Sequence, residues 1–228
     1  EKIPITTELR LKGQVLKYVS RGGLKLEKAI EVFDIDFSNK ILLDIGSSTG
    51  GFTDVALQNG AMMSYALDVG SNQLAWKLRQ DERVEVMEKT NFRYSKLSDF
   101  KLGQPTIATI DVSFISLKLI IPVLRDIIAS DGEVVALIKP QFEAGKEQVG
   151  KKGIVRDKKV HVDVLNRMID MMVDSRFNVM QLDYSPITGG EGNIEFLAYL
   201  KPCEEVGNYL GEELPAQLVE RAHAQLNG

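Results

Sequence analysis

Residues 41–57 read ILLDIGSSTGGFTDVAL: an apolar run, a glycine-rich turn and the start of a helix. The run Ile41–Ile45 is the continuous kind expected of a strand covered on both faces. Gly46, Gly50 and Gly51 let the backbone turn sharply and approach a ligand, and Ser47, Ser48 and Thr49 add hydroxyl donors. The spacing is G-x-x-x-G-G, not the dinucleotide fingerprint G-x-G-x-x-G, so the turn lacks what a pyrophosphate requires. Asp68 ends the next strand about 20 residues beyond Gly46, the offset at which an acidic side chain meets a ribose diol. Adenosine without a pyrophosphate, as in S-adenosylmethionine (SAM), satisfies both observations. Asp44, Gly46, Ser47, Ser48, Thr49, Gly50, Gly51, Phe52 and Asp68 are the candidate cofactor contacts. The bland alternative is a packing turn beside a solvated Asp68.

Working outward, short apolar runs alternate with helical spacing. Strands are expected at Ile41–Ile45, Met63–Leu67, Val84–Met87, Thr106–Val112, Glu133–Ile138, Asn178–Tyr184 and Ile194–Leu200. Helices are expected at 22–33, Phe52–Gln58, Gln73–Gln80, Leu117–Ala129 and Lys159–Ser175. In the first of these, Leu26, Ala29, Ile30 and Phe33 form one stripe and Lys25 lies off it. Only SPITGGEGN separates the last two strands, too little for a helical crossover, so the final strand returns antiparallel. The fold class is therefore α/β: a Rossmann-like, class I methyltransferase sheet of seven mostly parallel strands, with helices on both faces.

The 228 residues carry 28 Lys and Arg against 32 Asp and Glu, a net charge of −4, which excludes a globally basic nucleic-acid glue. No apolar run reaches the ~18 residues of a membrane span. The single Cys203 excludes an internal disulfide and suits a reducing cytoplasm. His161 and His223 are too few and too isolated in sequence for a metal centre, so no metal is expected. EKIPITTELRLKG has no signal-peptide pattern and no initiator methionine, which suggests a processed or truncated chain. Residues 1–20 read as a leader or linker, 21–202 as the main domain, and 203–228 as a polar tail whose AQLVERAHAQL forms a short, fraying surface helix.

Two strands end in residues foreign to a core: Asp111 in ATIDVSFIS and Lys139 in VVALIKPQFE. Burying either charge alone costs several kcal/mol, so their position suggests a cleft. Glu195 sits among apolar neighbours in GNIEFLAYL, and on that strand alone a solvated edge carboxylate is an open reading. Asn91, at the end of another strand, is a candidate adenine contact or a turn-forming Asn.

Taken together, YVSRGGLKLEKA, LLDIGSSTGGFTD, DVSFIS, IKPQFE and GNIEFL closely resemble the TlyA or hemolysin A family, within the FtsJ-like group of RNA ribose 2′-O-methyltransferases. The resemblance covers roughly residues 15–200. It implies SAM as cofactor, with Asp111 near its methionine amino group, and a catalytic tetrad of Lys25, Asp111, Lys139 and Glu195. It further implies ribosomal RNA within the subunit as partner, a cytidine as target, and a small N-terminal RNA-binding domain that is absent here or reduced to the linker in residues 1–20. A monomer or weak dimer is expected.

A ribose hydroxyl is a weak nucleophile, so such an enzyme must position it and take its proton. Lys139 is the expected base, with Lys25 as the cationic neighbour that lowers its pKa and Glu195 orienting a lysine or the ribose; the two carboxylates act in the opposite sense. Lys17, Arg21, Lys146, Lys151, Lys152 and Arg156 are the candidate RNA contacts, with Lys25, Lys28, Lys158 and Lys159 nearby. The segment 143–159 reads as a mobile basic loop, or as a solvated charge run. Tyr18 and Phe142 are candidate stacking aromatics. The competing readings are a membrane-active hemolysin, a SAM- or RNA-binding module without catalysis, and a small-molecule methyltransferase.

Overall fold

The apolar runs become β1 (Ile41–Ile45), β2 (Met63–Leu67), β3 (Val84–Met87), β4 (Ile107–Ile110) and β5 (Glu133–Ile138) in the computed structural model, which describes Gly13 and residues 15–226. Then come β6 (Phe177–Tyr184) and β7 (Phe196–Pro202). The sheet order is β3-β2-β1-β4-β5-β7-β6, with β1 to β5 parallel and β7 antiparallel to both of its neighbours. The chain winds one way from β1 to β3 and then restarts on the far side of β1 with β4. That reversal opens a crevice beyond the carboxyl ends of β1 and β4, where ligands sit in open α/β sheets. Most of the expected leader, residues 1–12 and 14, lies outside the described residues.

Strand alternation divides the core. Leu43, Ile45, Ile110, Val134 and Ala136 face one layer; Leu42, Ile107, Val135, Leu137 and Leu197 face the other. On the second face lie α1 (Gly23–Phe33), through Leu26, Ala29 and Phe33, and α2 (Gly51–Gln58), through Phe52, Val55 and Ala56. The first face is covered by α4 (Ile121–Arg125), α6 (Lys158–Asp174) and α7 (Leu214–Leu226).

Three expected helices differ. The stretch Leu117–Ala129 splits into a 3₁₀ turn, Leu117–Leu119, and α4, because Pro122 favours a helix start and cannot continue one. The stretch Gln73–Gln80 shrinks to α3 (Trp76–Arg79), since the Ala75 amide donates to the Thr49 carbonyl at 2.9 Å instead of entering a helix. The C-terminal helix is not confined to the surface: Leu218, Val219 and Ala222 are buried in the main core against α6.

The two histidines, isolated in sequence, meet between α6 and α7. His161 Nδ1 lies 2.9 Å from His223 Nε2, and His161 Nε2 lies 3.0 Å from the Val155 carbonyl oxygen. A carbonyl only accepts, so His161 carries its proton on Nε2 and accepts from His223 at Nδ1. Burial, then the neighbouring His223, hold His161 down at about 4, against an ordinary 6.5. The unfolded chain binds the proton first, so the stability this pair supplies is complete above about pH 6.5 and lost as pH falls towards 4. Urea unfolding of wild type should lose on the order of 2–3 kcal/mol more than His161→Gln across that window. Parallel pH dependences of the two proteins would refute this.

Candidate active site

The turn after β1 is built around Gly46, at φ +82°, where a Cβ would stand 2.2 Å from the Asp111 carbonyl oxygen. Only glycine fits, and its absence of a side chain brings the ends of β1 and β4 together. The Gly46 and Ser47 amides both donate to the Leu67 carbonyl, at 2.9 and 3.0 Å. Asp44 is buried below the turn. Its carboxylate accepts from the Thr53 amide at 3.1 Å, the Thr53 hydroxyl at 2.8 Å and the Thr109 hydroxyl at 3.2 Å, tying α2 to β1 and β4. Burial pushes its pKa up to about 7 against the pull of those hydroxyls.

Beyond the turn lies a cavity of about 380 Å³, within the range of small-molecule sites. Asp68 stands in its wall, with its carboxylate accepting from the Ser48 and Gly70 amides, each at 2.8 Å. Asn91, Phe92, Val112 and Ile120 form an apolar slot with one amide edge. Asn91 Oδ1 caps a turn by accepting from the Arg93 amide at 3.1 Å, and the residue also lines the cavity.

A smaller compartment of about 110 Å³ adjoins the first through their shared walls Gly46, Ser48 and Asp111. Asp44, Ser47, Thr49, Gly51 and Phe52 line it, together with Ser20 and Gly22, which the sequence did not single out as ligand contacts. Gly50, an expected contact, lines neither compartment; it makes room for Leu74 and Leu78 instead.

At the junction four charged side chains meet. Lys139 Nζ pairs with Asp111 Oδ1 at 2.5 Å, and Lys25 Nζ lies 3.7 Å from Asp111 Oδ2 and 2.7 Å from Glu195 Oε2. Lys25 and Lys139 are each 8% exposed and Glu195 2%. Glu195 is therefore not a solvated edge carboxylate: it precedes β7, which lies between β5 and β6. Burial alone pulls the Lys25 ammonium down, but the charges of Asp111 and Glu195 outweigh it and raise its pKa overall. The four charges sum to zero, the condition under which such a cluster is tolerated away from water. Glu143 steadies the rim, accepting from the Ser116 hydroxyl at 2.6 Å and the Leu117 amide at 2.8 Å.

Arg21, Lys146, Lys151, Lys152 and Arg156 are exposed, and the last three line a recess of about 470 Å³. Lys17 is exposed but paired with Glu27 at 2.8 Å. Lys28 turns inward to the Tyr184 carbonyl at 2.5 Å and ring, so it does not extend the patch. Lys158 pairs with Glu220 at 2.7 Å. The basic segment is folded rather than loose: Asn193 accepts from the Val155 amide at 3.0 Å and donates to the Gly153 carbonyl at 2.9 Å.

Tyr18 is not a stacking platform, being buried in the core with its hydroxyl on Glu27. Phe142 is half-buried against Phe114, with ring centroids 4.9 Å apart. Phe114 was not identified in the sequence; it is 90% exposed on the cavity rim at φ +63°. That is a costly conformation for a bulky residue and a poor place for an apolar ring without a use.

Residues 18–201 match the FtsJ-like methyltransferase family. The chain is 61% identical to the YqxC protein of Bacillus subtilis over 228 residues, covering 99% of this chain and 81% of that one. It is 40% identical over 184 residues to the 16S/23S rRNA (cytidine-2′-O)-methyltransferase TlyA of Mycobacterium tuberculosis, covering 81% of this chain and 68% of that one. A solved structure from Streptococcus thermophilus that carries the name hemolysin superposes with a TM-score of 0.91 at 55% identity, covering 96% and 79% of the two chains. A resemblance read from five short motifs thus extends through most of the sequence and the fold, and the chain belongs to the FtsJ-like methyltransferase family.

Proposed function

We propose that this chain methylates a ribose 2′-hydroxyl of ribosomal RNA, at a cytidine, with SAM as donor. The observation that carries this reading is the charge-balanced cluster Lys25, Asp111, Lys139 and Glu195 at the junction of the two compartments. The larger compartment suits an adenosine: an apolar slot, the Asn91 edge, and Asp68 held by two amides for a ribose diol. The smaller one, lined by the glycine turn and Asp44, suits an amino-acid end. SAM, when bound, supplies a methyl group on a sulfonium, already activated for transfer.

The chain's own residues supply the rest. On this reading Lys139, as the uncharged amine, takes the hydroxyl proton on Nζ and becomes the ammonium that pairs with Asp111; Asp111 orients Lys139 and Lys25, and Glu195 holds Lys25 beside the ribose. The lysines also offset the phosphate charge that accompanies RNA, while Arg21, Lys146, Lys151, Lys152 and Arg156 contact phosphates without reading sequence. A ribosomal substrate places the enzyme in the cytoplasm. The membrane-active reading finds less support: among the described residues no helix is long and apolar enough to cross a membrane.

The test is transfer of labelled methyl from SAM to unmodified ribosomal subunits. Label recovered as a 2′-O-methylcytidine supports the reading. SAM binding with no label on RNA refutes the substrate, and absence of SAM binding refutes the cofactor assignment. In the same assay Phe114→Ala should lower kcat/KM for RNA about tenfold, in line with 1–3 kcal/mol per stacked base. It should leave Tm alone, because the ring contributes little to the core. Unaltered RNA kinetics would remove Phe114 from the RNA path.

A further inference from the structure

We propose that Gln141 is a positioning residue of this site, acting through Glu195. The inference rests on the methyl-transfer reading above. Glu195 is almost wholly buried and has a donor on each oxygen: Lys25 Nζ on Oε2 at 2.7 Å, and Gln141 Nε2 on Oε1 at 3.2 Å. Gln141 belongs to α5 (Pro140–Glu143), which begins directly after Lys139. One short segment thus delivers both the base and the group that orients the partner of the second lysine.

Two features separate this glutamine from one that merely packs. Only Nε2 can donate to a carboxylate, so the amide orientation is set, and its Oε1 is buried without a hydrogen-bond partner. An unsatisfied buried carbonyl costs roughly 1–3 kcal/mol, so Gln141 is poorly suited to stabilising the fold. The other feature is Gly189, where a Cβ would stand 2.1 Å from Glu195 Oε1 and 3.5 Å from Gln141 Nε2. Its φ of −78° and ψ of −164° suit any residue, so space for the Gln141–Glu195 contact is what calls for glycine.

Without the Gln141 donor, the Glu195 carboxylate turns both oxygens to Lys25 and draws it from Asp111, now 3.7 Å away. Asp111 then rests on Lys139 alone. With Lys25 displaced, the ribose beside it is misplaced and the methyl-transfer step slows.

The experiment compares the wild-type chain, Gln141→Leu, Gln141→Glu and Gly189→Ala in methyl transfer to ribosomal subunits, with SAM binding and thermal unfolding. Gln141→Leu should lose about tenfold in kcat, the worth of one charge-assisted hydrogen bond, with KM for SAM unchanged. Its Tm should stay level or rise. Gln141→Glu keeps the size but sets a second carboxyl against buried Glu195 in place of the amide donor, and should lose at least as much. Gly189→Ala should reach the same loss by crowding the contact. Gln141→Leu with the kcat of wild type overturns the proposal. So does a kcat loss in Gln141→Leu that tracks a fall in its Tm, the mark of a packing role. A wild-type enzyme that binds SAM but leaves RNA unlabelled would instead refute the substrate reading, and this inference with it.

Discussion

Lys139→Ala should lower kcat by about 100- to 10,000-fold, the range that general-base help supplies, while SAM binds within about twofold of wild type. The separation follows from position. Lys139 lines neither compartment, yet its ammonium lies 2.5 Å from Asp111, at their shared wall. Stability should also fall, because Asp111 keeps only the longer contact to Lys25, so two further variants isolate the chemistry. Lys139→Met retains the packing of the stem without an amine. Lys139→Arg retains a cation for Asp111, but a guanidinium does not release its proton near neutral pH. If Lys139 is the base, all three are nearly inactive. If it only places charge beside the ribose, Lys139→Arg keeps a large part of its turnover, and the base assignment fails. Single-turnover transfer from labelled SAM, with calorimetric SAM binding on the same samples, reads both quantities.

Gly46→Ala is the second large effect, and it arises from backbone rather than charge. The new Cβ would meet the Asp111 carbonyl at 2.2 Å from a residue already at φ +82°. Strain in the left-handed region and overpacking each cost roughly 1–3 kcal/mol, so a loss of about 3 kcal/mol in urea unfolding is expected. Because Gly46 and Asp111 border both compartments, the accommodation spreads to the ligand. SAM affinity should fall by more than about tenfold and methyl transfer with it, in proportion to at least 1.4 kcal/mol of lost binding. A Gly46→Ala protein that bound SAM like wild type would show that the turn does not face the cofactor.

Much of the sheet was legible because its central strands are buried on both faces, and uninterrupted apolar runs mark their own ends. The bounds expected for β1, β2, β3 and β5 are those observed. Asp111 and Lys139 stood out for the same reason, as charges closing apolar runs. What sequence spacing could not convey was contact between distant segments. On its own strand Glu195 left the reading of a solvated edge carboxylate open until β7 was seen to lie between β5 and β6. The docking of α7 depends on which helix lies beneath it, and Ser20 and Gly22 reach the small compartment only because α1 packs on α2. Phe114 is a bulky apolar residue in an apolar stretch; only its left-handed backbone turns it outward. Lys28 was one cation among several, and the Tyr184 ring that holds it comes from β6.

The antiparallel β7 also determines when, during synthesis, this protein becomes an enzyme. The buried Lys25–Glu195 pair joins residues 170 positions apart, and β6 is held in the sheet only through β7. Chains emerge from the ribosome in order, at about 5–20 residues per second, and distant pairings form late. A nascent chain therefore exposes the complete glycine turn well before the last carboxylate exists. An unfinished or prematurely terminated product can hold cofactor surfaces but lacks the closing half of the charge cluster. Competence for chemistry is thus withheld until nearly the whole domain has been made.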